Sequence, residues 1–150
     1  MTRHQPGFVS ILGDGFAEAF ADHADQIYPF ASWRQAGITV AGSSDAPVIT
    51  ANPLTGVRDA VVRRTAEGRI LGPSQRIAIR DALGLYTRQA AYALHREREI
   101  GSLEPGKLAD FVVLDANPLG TDPQQIGDIR VLATVAGGIP MYQPANTIPG

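Results

Sequence analysis

Residues 31–47 read ASWRQAGITVAGSSDAP, and the order of signals within them decides the fold class. A short helical piece, Ala31 to Ala36, runs into Gly37, and glycine suits a helix end because it accepts a left-handed backbone. ITVA follows at 38–41, a compact apolar and β-branched run bounded by Gly42, which reads as a buried strand. Ser43, Ser44 and Asp45 then open a polar loop before Pro47. Helix, glycine, strand and polar loop in that order is the repeating unit of parallel α/β structure.

The flanks extend the pattern. Upstream, Phe8 to Leu12 forms a short strand-like run with nothing before it to pair with, so a truncated chain is expected. Phe16, Ala17, Phe20, Ala21 and Ala24 then recur at intervals of three and four behind Asp14, which predicts an amphipathic helix over 14–24 capped by that carboxylate. Downstream, Asn52 and Pro53 supply an N-cap and a first helical residue for a helix reaching about Ala66, closed by Gly68. Residues 74–95 predict two linked helices, with Thr87 capping the second and Ala90, Ala91 and Leu94 on one face.

After Ile100 the character changes. In GSLEPGKLAD (101–110), Pro105 and Gly106 suit the centre of a type II turn, and FVVL follows as a strand. Asn117 and Pro118 break the chain. VLATVA, Gly137, Gly138 and IPMY then read as a hairpin whose glycines accept positive φ, with Pro140 confining the last strand to an edge. The expected organisation is therefore a parallel α/β part over 1–99, an antiparallel β part over 100–143, and a loosely held tail over 144–150.

A chain of 150 residues with 44% hydrophobic and 19% charged side chains has the material for one globular core. A net charge of -2 offers no basic footprint for a phosphate backbone, so nucleic acid is not an expected partner. The absence of cysteine excludes disulfides, a thiolate nucleophile and zinc-finger sites. No apolar run approaches the roughly 20 residues that span a bilayer, and Phe8 to Leu12 is too short for a secretory core, so no membrane partner is expected and cytoplasm is the default location. No glycine-rich phosphate-binding string occurs.

Four pieces in order, HQPGF (4–8), IYPFASWRQAGITVAGSSDAPV (27–48), NPLTGVRDAVVRRT (52–65) and IGSLEPGKLADFVVLDANPL (100–119), resemble the C-terminal third of amidohydrolase-superfamily enzymes. The likeness is greatest to the large group that hydrolyses amide and related non-peptide C–N bonds. The resemblance implies the last strands and helices of a (β/α)8 barrel followed by strands of a small β-sandwich domain. It implies a small-molecule substrate and a divalent metal, zinc in most members. Asp45 matches the aspartate after the eighth barrel strand, which in the family contacts the metal and handles the proton of the attacking water. Chemically this is coherent, because a metal lowers the pKa of bound water and a carboxylate in reach can take its proton.

Other readings stand beside these. SSDAP is also a turn string, in which side-chain oxygens satisfy loose backbone N–H groups. His4, before QPGF, matches the end of the seventh barrel strand and is a candidate substrate contact, or a loop histidine without a task. His23 and His95 are expected in solvent, and no HxH or HExxH spacing exists. The family's remaining ligands would precede Met1, so the isolated chain is expected to lack most metal ligands and to be inactive alone. Arg58, Arg63 and Arg64 are expected on a solvated helix face, and Tyr28, Trp33, Tyr86 and Tyr92 as packing anchors. The alternative to an enzyme portion is a non-catalytic truncated module that works by binding or oligomerisation. A second copy, or the absent N-terminal part, is the expected protein partner.

Overall fold

A computed structural model describes residues 1–144, so most of the tail expected over 144–150 lies outside the described residues. The first half is an α/β unit. Strand β1 (Thr2–His4) pairs in parallel with β2 (Val40–Gly42), with Thr2 opposite Val40, Arg3 opposite Ala41 and His4 opposite Gly42. Between them run α1 (Phe8–Ala19), a 3-10 segment (Ala21–Gln26) and α2 (Phe30–Gln35). After β2 come α3 (Pro53–Val62), α4 (Ile79–Tyr86) and α5 (Arg88–Ala93). The second half is an antiparallel sheet of β3 (Phe111–Leu114), β4 (Val131–Ala136) and β5 (Ile139–Tyr142), with β4 in the middle.

Several local expectations hold for their stated reasons. Asn52 caps α3 by accepting from the Leu54 N–H at 3.0 Å, with Pro53 at the first helical position. Gly137 and Gly138 take φ of 57° and 80° between β4 and β5, the two positive values that a tight hairpin turn requires. Gly106 has φ of 91° and Lys107 N–H closes its turn on the Glu104 carbonyl at 3.1 Å. Pro140 lies on β5, an edge strand of the three-stranded sheet, opposite Val135 and next to a register shift in β4.

Other expectations are corrected. Phe8 to Leu12 is not a strand but the first turns of α1, and the true strand is the polar Thr2–His4. A five-residue apolar run has no periodicity long enough to separate the two states, and here Val9 and Gly13, four apart, form the buried stripe. The helix therefore starts before Asp14 and ends at Ala19. Asp14 caps nothing at its own helix; its carboxylate accepts from the Thr65 hydroxyl at 2.6 Å and the Glu67 N–H at 3.0 Å. Thr87 does not cap α5 with its side chain, because its hydroxyl turns back to the Leu83 carbonyl at 2.9 Å.

The helix α3 ends at Val62, well before Gly68, and Arg63 adopts the left-handed conformation there, with φ of 55°. This turn drives the Arg63 side chain inward, contrary to the expected solvated face. It is fully buried, and its guanidinium donates to the carbonyls of Leu71 (2.5 Å), Ile27 (2.7 Å) and Tyr28 (3.0 Å). Tyr92, expected to pack, is 48% exposed.

One core serves both halves. Phe30, Val40, Leu54, Val57, Ala60, Ala82 and Leu85 from the helical part cluster with Ile126 and Ile129, which follow β3 in a 3-10 segment (Pro123–Asp128) and its exit. Burial of such side chains contributes about 25 cal/mol per Å² of apolar surface, so this seam is a principal tie between the halves. By contrast Phe111, Val112, Val113, Ile139, Met141 and Tyr142 are exposed on the small sheet.

Candidate functional site

The site is built from the carboxyl ends of β1 and β2. The Ser43 N–H donates to the His4 carbonyl at 2.8 Å, which continues the parallel ladder one step past Gly42 and delivers the loop 43–48 beside the end of β1. Asp45 then takes φ of 56°, a conformation that aspartate tolerates better than most residues, and its carbonyl accepts from the Val48 N–H at 2.9 Å. The backbone is thus pinned on both sides of the side chain.

Asp45 itself is exposed, and its carboxylate has neither a hydrogen bond nor an ion pair among the described residues. The turn reading of SSDAP holds for Ser44, whose hydroxyl oxygen accepts from the Ala46 N–H at 3.3 Å. It does not account for Asp45. What remains is an unpaired anion held beyond the carboxyl end of a parallel strand pair, the end at which α/β proteins present reacting groups.

His4 is placed differently. Its ring stacks on Trp33 with centroids 4.3 Å apart and meets the edge of Tyr28 at 5.8 Å, while its Nε2 lies 2.8 Å from the Thr2 hydroxyl. Burial lowers the imidazole pKa below its ordinary 6.5, so the neutral ring is favoured. The same burial raises the Tyr28 hydroxyl. His4 and Asp45 are brought to one end of the strand pair through the backbone, but the His4 ring belongs to an aromatic cluster on the helical side. His23 and His95 are exposed, as expected.

A catalytic zinc ordinarily needs about three protein ligands. Among the described residues no three His, Cys, Asp or Glu side chains come together, and the one ring nearest the site already engages Thr2 and Trp33. The described residues do not fit a metal centre by themselves; Asp45 is a single donor.

Two supporting interactions were not legible beforehand. Asp59 on α3 is 1% exposed and accepts from the Ser10 hydroxyl of α1 at 2.5 Å and from the Arg58 guanidinium at 2.7 Å. Desolvation raises its carboxyl above the usual value despite both donors, and desolvation also raises the Tyr86 hydroxyl, with the Asp59 charge adding to it. Tyr86 in turn fills the space left by Gly42, whose added Cβ would meet the ring at 2.7 Å. The absent side chains at Gly42 and Gly56, both against Tyr86, were the only sequence signal for this close packing.

The sequence pattern of the amidohydrolase family matches residues 4–142. The chain belongs to the amidohydrolase family. N-substituted formamide deformylase from Arthrobacter pascens is 34% identical over 118 residues, which are 79% of this chain and 22% of that protein. A shorter match, 56% identical over 36 residues, covers 24% of this chain and 8% of 5-methylthioadenosine/S-adenosylhomocysteine deaminase from Symbiobacterium thermophilum. Among solved structures, an uncharacterized metal-dependent hydrolase from Pyrococcus horikoshii OT3 superposes with a TM-score of 0.69 at 28% identity, covering 81% of this chain and 25% of that one. The amidohydrolase chain described here thus spans about a fifth to a quarter of the length of relatives matched over most of it.

Proposed function

We propose that this amidohydrolase chain supplies the proton-handling carboxylate, Asp45, to the hydrolysis of a non-peptide C–N bond in a small molecule. The observation that carries the reading is the exposed, unpartnered Asp45 carboxylate on a pinned backbone at the carboxyl end of β2. A carboxylate so placed accepts a proton from water as the water attacks the carbon of the C–N bond, and returns it to the leaving nitrogen. The names of a matched deformylase and a matched deaminase, both acting on C–N bonds, support the reaction class.

In this reading β1 and β2 are the last two strands of a (β/α)8 barrel, and the β3–β5 sheet is part of a β-sandwich. Asp45 is one ligand of a divalent metal, zinc by resemblance, and the other ligands come from polypeptide outside these residues. That a matched fold is described as a metal-dependent hydrolase supports this. His4 serves substrate binding through its backbone position and its aromatic neighbours, with its ring held by Trp33 and Tyr28.

The test is the rate of hydrolysis of N-formyl and N-acyl amines by the complete gene product and by its Asp45→Asn variant. The expected result is a loss in kcat of roughly 100- to 10,000-fold with the far-UV spectrum unchanged, the range typical of a general acid–base group. A variant that hydrolyses as fast as the parent excludes the role. That result would favour the second reading, a binding module.

A further inference from the structure

With no hydrogen bond or ion pair on its carboxylate among the described residues, Asp45 stands where the two ends of its loop put it. Each end is seated on a glycine. At the start, Gly42, the last residue of β2, lies against the Tyr86 ring of α4: a Cβ there would meet the ring carbons at 2.7 to 2.9 Å. The same ring abuts Gly56 of α3, where a Cβ would overlap the Tyr86 hydroxyl, so the ring fills a slot between β2 and α3. At the other end, Ile49 is 7% exposed although Val48 before it is 58% exposed, and a Cβ on Gly7 would meet the Ile49 Cδ1 at 2.5 Å. Gly7 lies between the end of β1 and the start of α1, so Ile49 ties the loop back to the strand end that carries His4.

We infer that Tyr86 and Ile49 are positioning residues for Asp45, one seating the start of its loop on Gly42 and the other seating its end on Gly7. Both act through the backbone of the loop and not by contact with substrate. The inference rests on the proton-handling reading of Asp45 above and adds what holds that carboxylate in place. Proton transfer needs the heavy atoms within about 2.6–3.2 Å of each other, and a displacement of about 1 Å costs on the order of 100-fold in rate. An Asp45 side chain without a partner of its own has nothing to restore it when a loop end loosens. The Tyr86 hydroxyl makes no hydrogen bond among the described residues, so the bulk of the ring is the part that matters.

The test is a double-mutant cycle in the complete gene product, read as kcat and KM on an N-formyl amine at a temperature where circular dichroism shows the variants folded. Ile49→Ala and Tyr86→Ala are each expected to lower kcat by about 10- to 100-fold, with KM within about twofold of the parent. In an Asp45→Asn background the same changes should alter the residual rate by less than about twofold, because a carboxamide takes no proton wherever it stands. Tyr86→Phe should recover most of the rate. Ile49→Val, a milder change, should fall between the parent and Ile49→Ala, and the same cycle run with it decides the matter if an alanine variant does not fold. Equal losses in both backgrounds, the mark of a merely structural role, overturn the inference, as do alanine variants at the parent rate or a Tyr86→Phe variant as slow as Tyr86→Ala. Those outcomes leave the reading of Asp45 standing, whereas an Asp45→Asn enzyme as fast as the parent brings down both.

Discussion

Asp45 and Asp59 show how environment assigns different work to the same side chain. Asp45 is free in solvent on a fixed backbone; Asp59 is buried between Ser10 and Arg58. Asp59 has a raised folded-state pKa, so in the window from its usual 3.8 up to that raised value the folded chain binds more protons than the unfolded chain. Stability then falls as pH rises through the window, and is highest below it. Replacing Asp59 by Asn removes this slope: the stability of the parent minus that of Asp59→Asn, measured by urea unfolding, should decline with rising pH across the window. An increase would contradict the assignment. Arg63 is the other decisive residue at this scale, its pKa pulled down to about 10 by burial among carbonyls. Arg63→Met should cost about 2 kcal/mol or more, because it removes the donor from the buried Leu71 carbonyl and the half-buried Ile27 carbonyl, while the Tyr28 carbonyl keeps the Phe30 N–H. A loss under about 0.5 kcal/mol, the scale of an ordinary surface change, would show that water replaces the guanidinium there.

The elements repeat this distinction between what is written locally and what is not. The hairpin β4–β5, the cap at Asn52 and the strand β2 were legible because each depends on residues adjacent in sequence: paired glycines, an Asn-Pro start, a β-branched run after a helix-ending glycine. Strand β1 was not legible, because Thr2–His4 is polar and becomes a strand only by pairing with β2 some 36 residues later. Asp14 and Thr87 were misread for the same reason: each is a plausible cap by composition, but a distant partner (Thr65) or a preceding turn (Leu83) competes for its oxygen. At the turn, Gly137→Asn should be tolerated within about 0.5 kcal/mol, whereas Gly137→Val should cost about 1–2 kcal/mol and be visible as a lower Tm. Equal melting temperatures would refute the positive-φ requirement.

At the scale of the molecule, the expected division near residue 99 meets a core that crosses it. Ile126 and Ile129 pack with Val57 and Ala60, so Ile126→Ala should destabilise by about 2–5 kcal/mol and lower helical and sheet signals in one transition. Two separate transitions would mean that the halves fold apart. The position of Asp45, in an exposed loop just past the end of β2, was legible through the order strand, polar loop and carboxylate. Its neighbours were not, since which face of β1 meets the helices depends on Trp33, Tyr86 and Gly42 converging from three elements. The exposed apolar residues of β3 and β5 lead us to expect concentration-dependent self-association of the isolated chain, visible by sedimentation. A monomer at all concentrations would oppose that expectation.

The role given to Asp45 is tested most directly by chemical rescue. In the complete gene product, Asp45→Ala is assayed on an N-formyl amine with and without excess acetate, and with chloride at matched ionic strength. Proton transfer by this carboxylate predicts a slow variant whose rate rises with acetate and not with chloride; a variant as fast as the parent without acetate would contradict it.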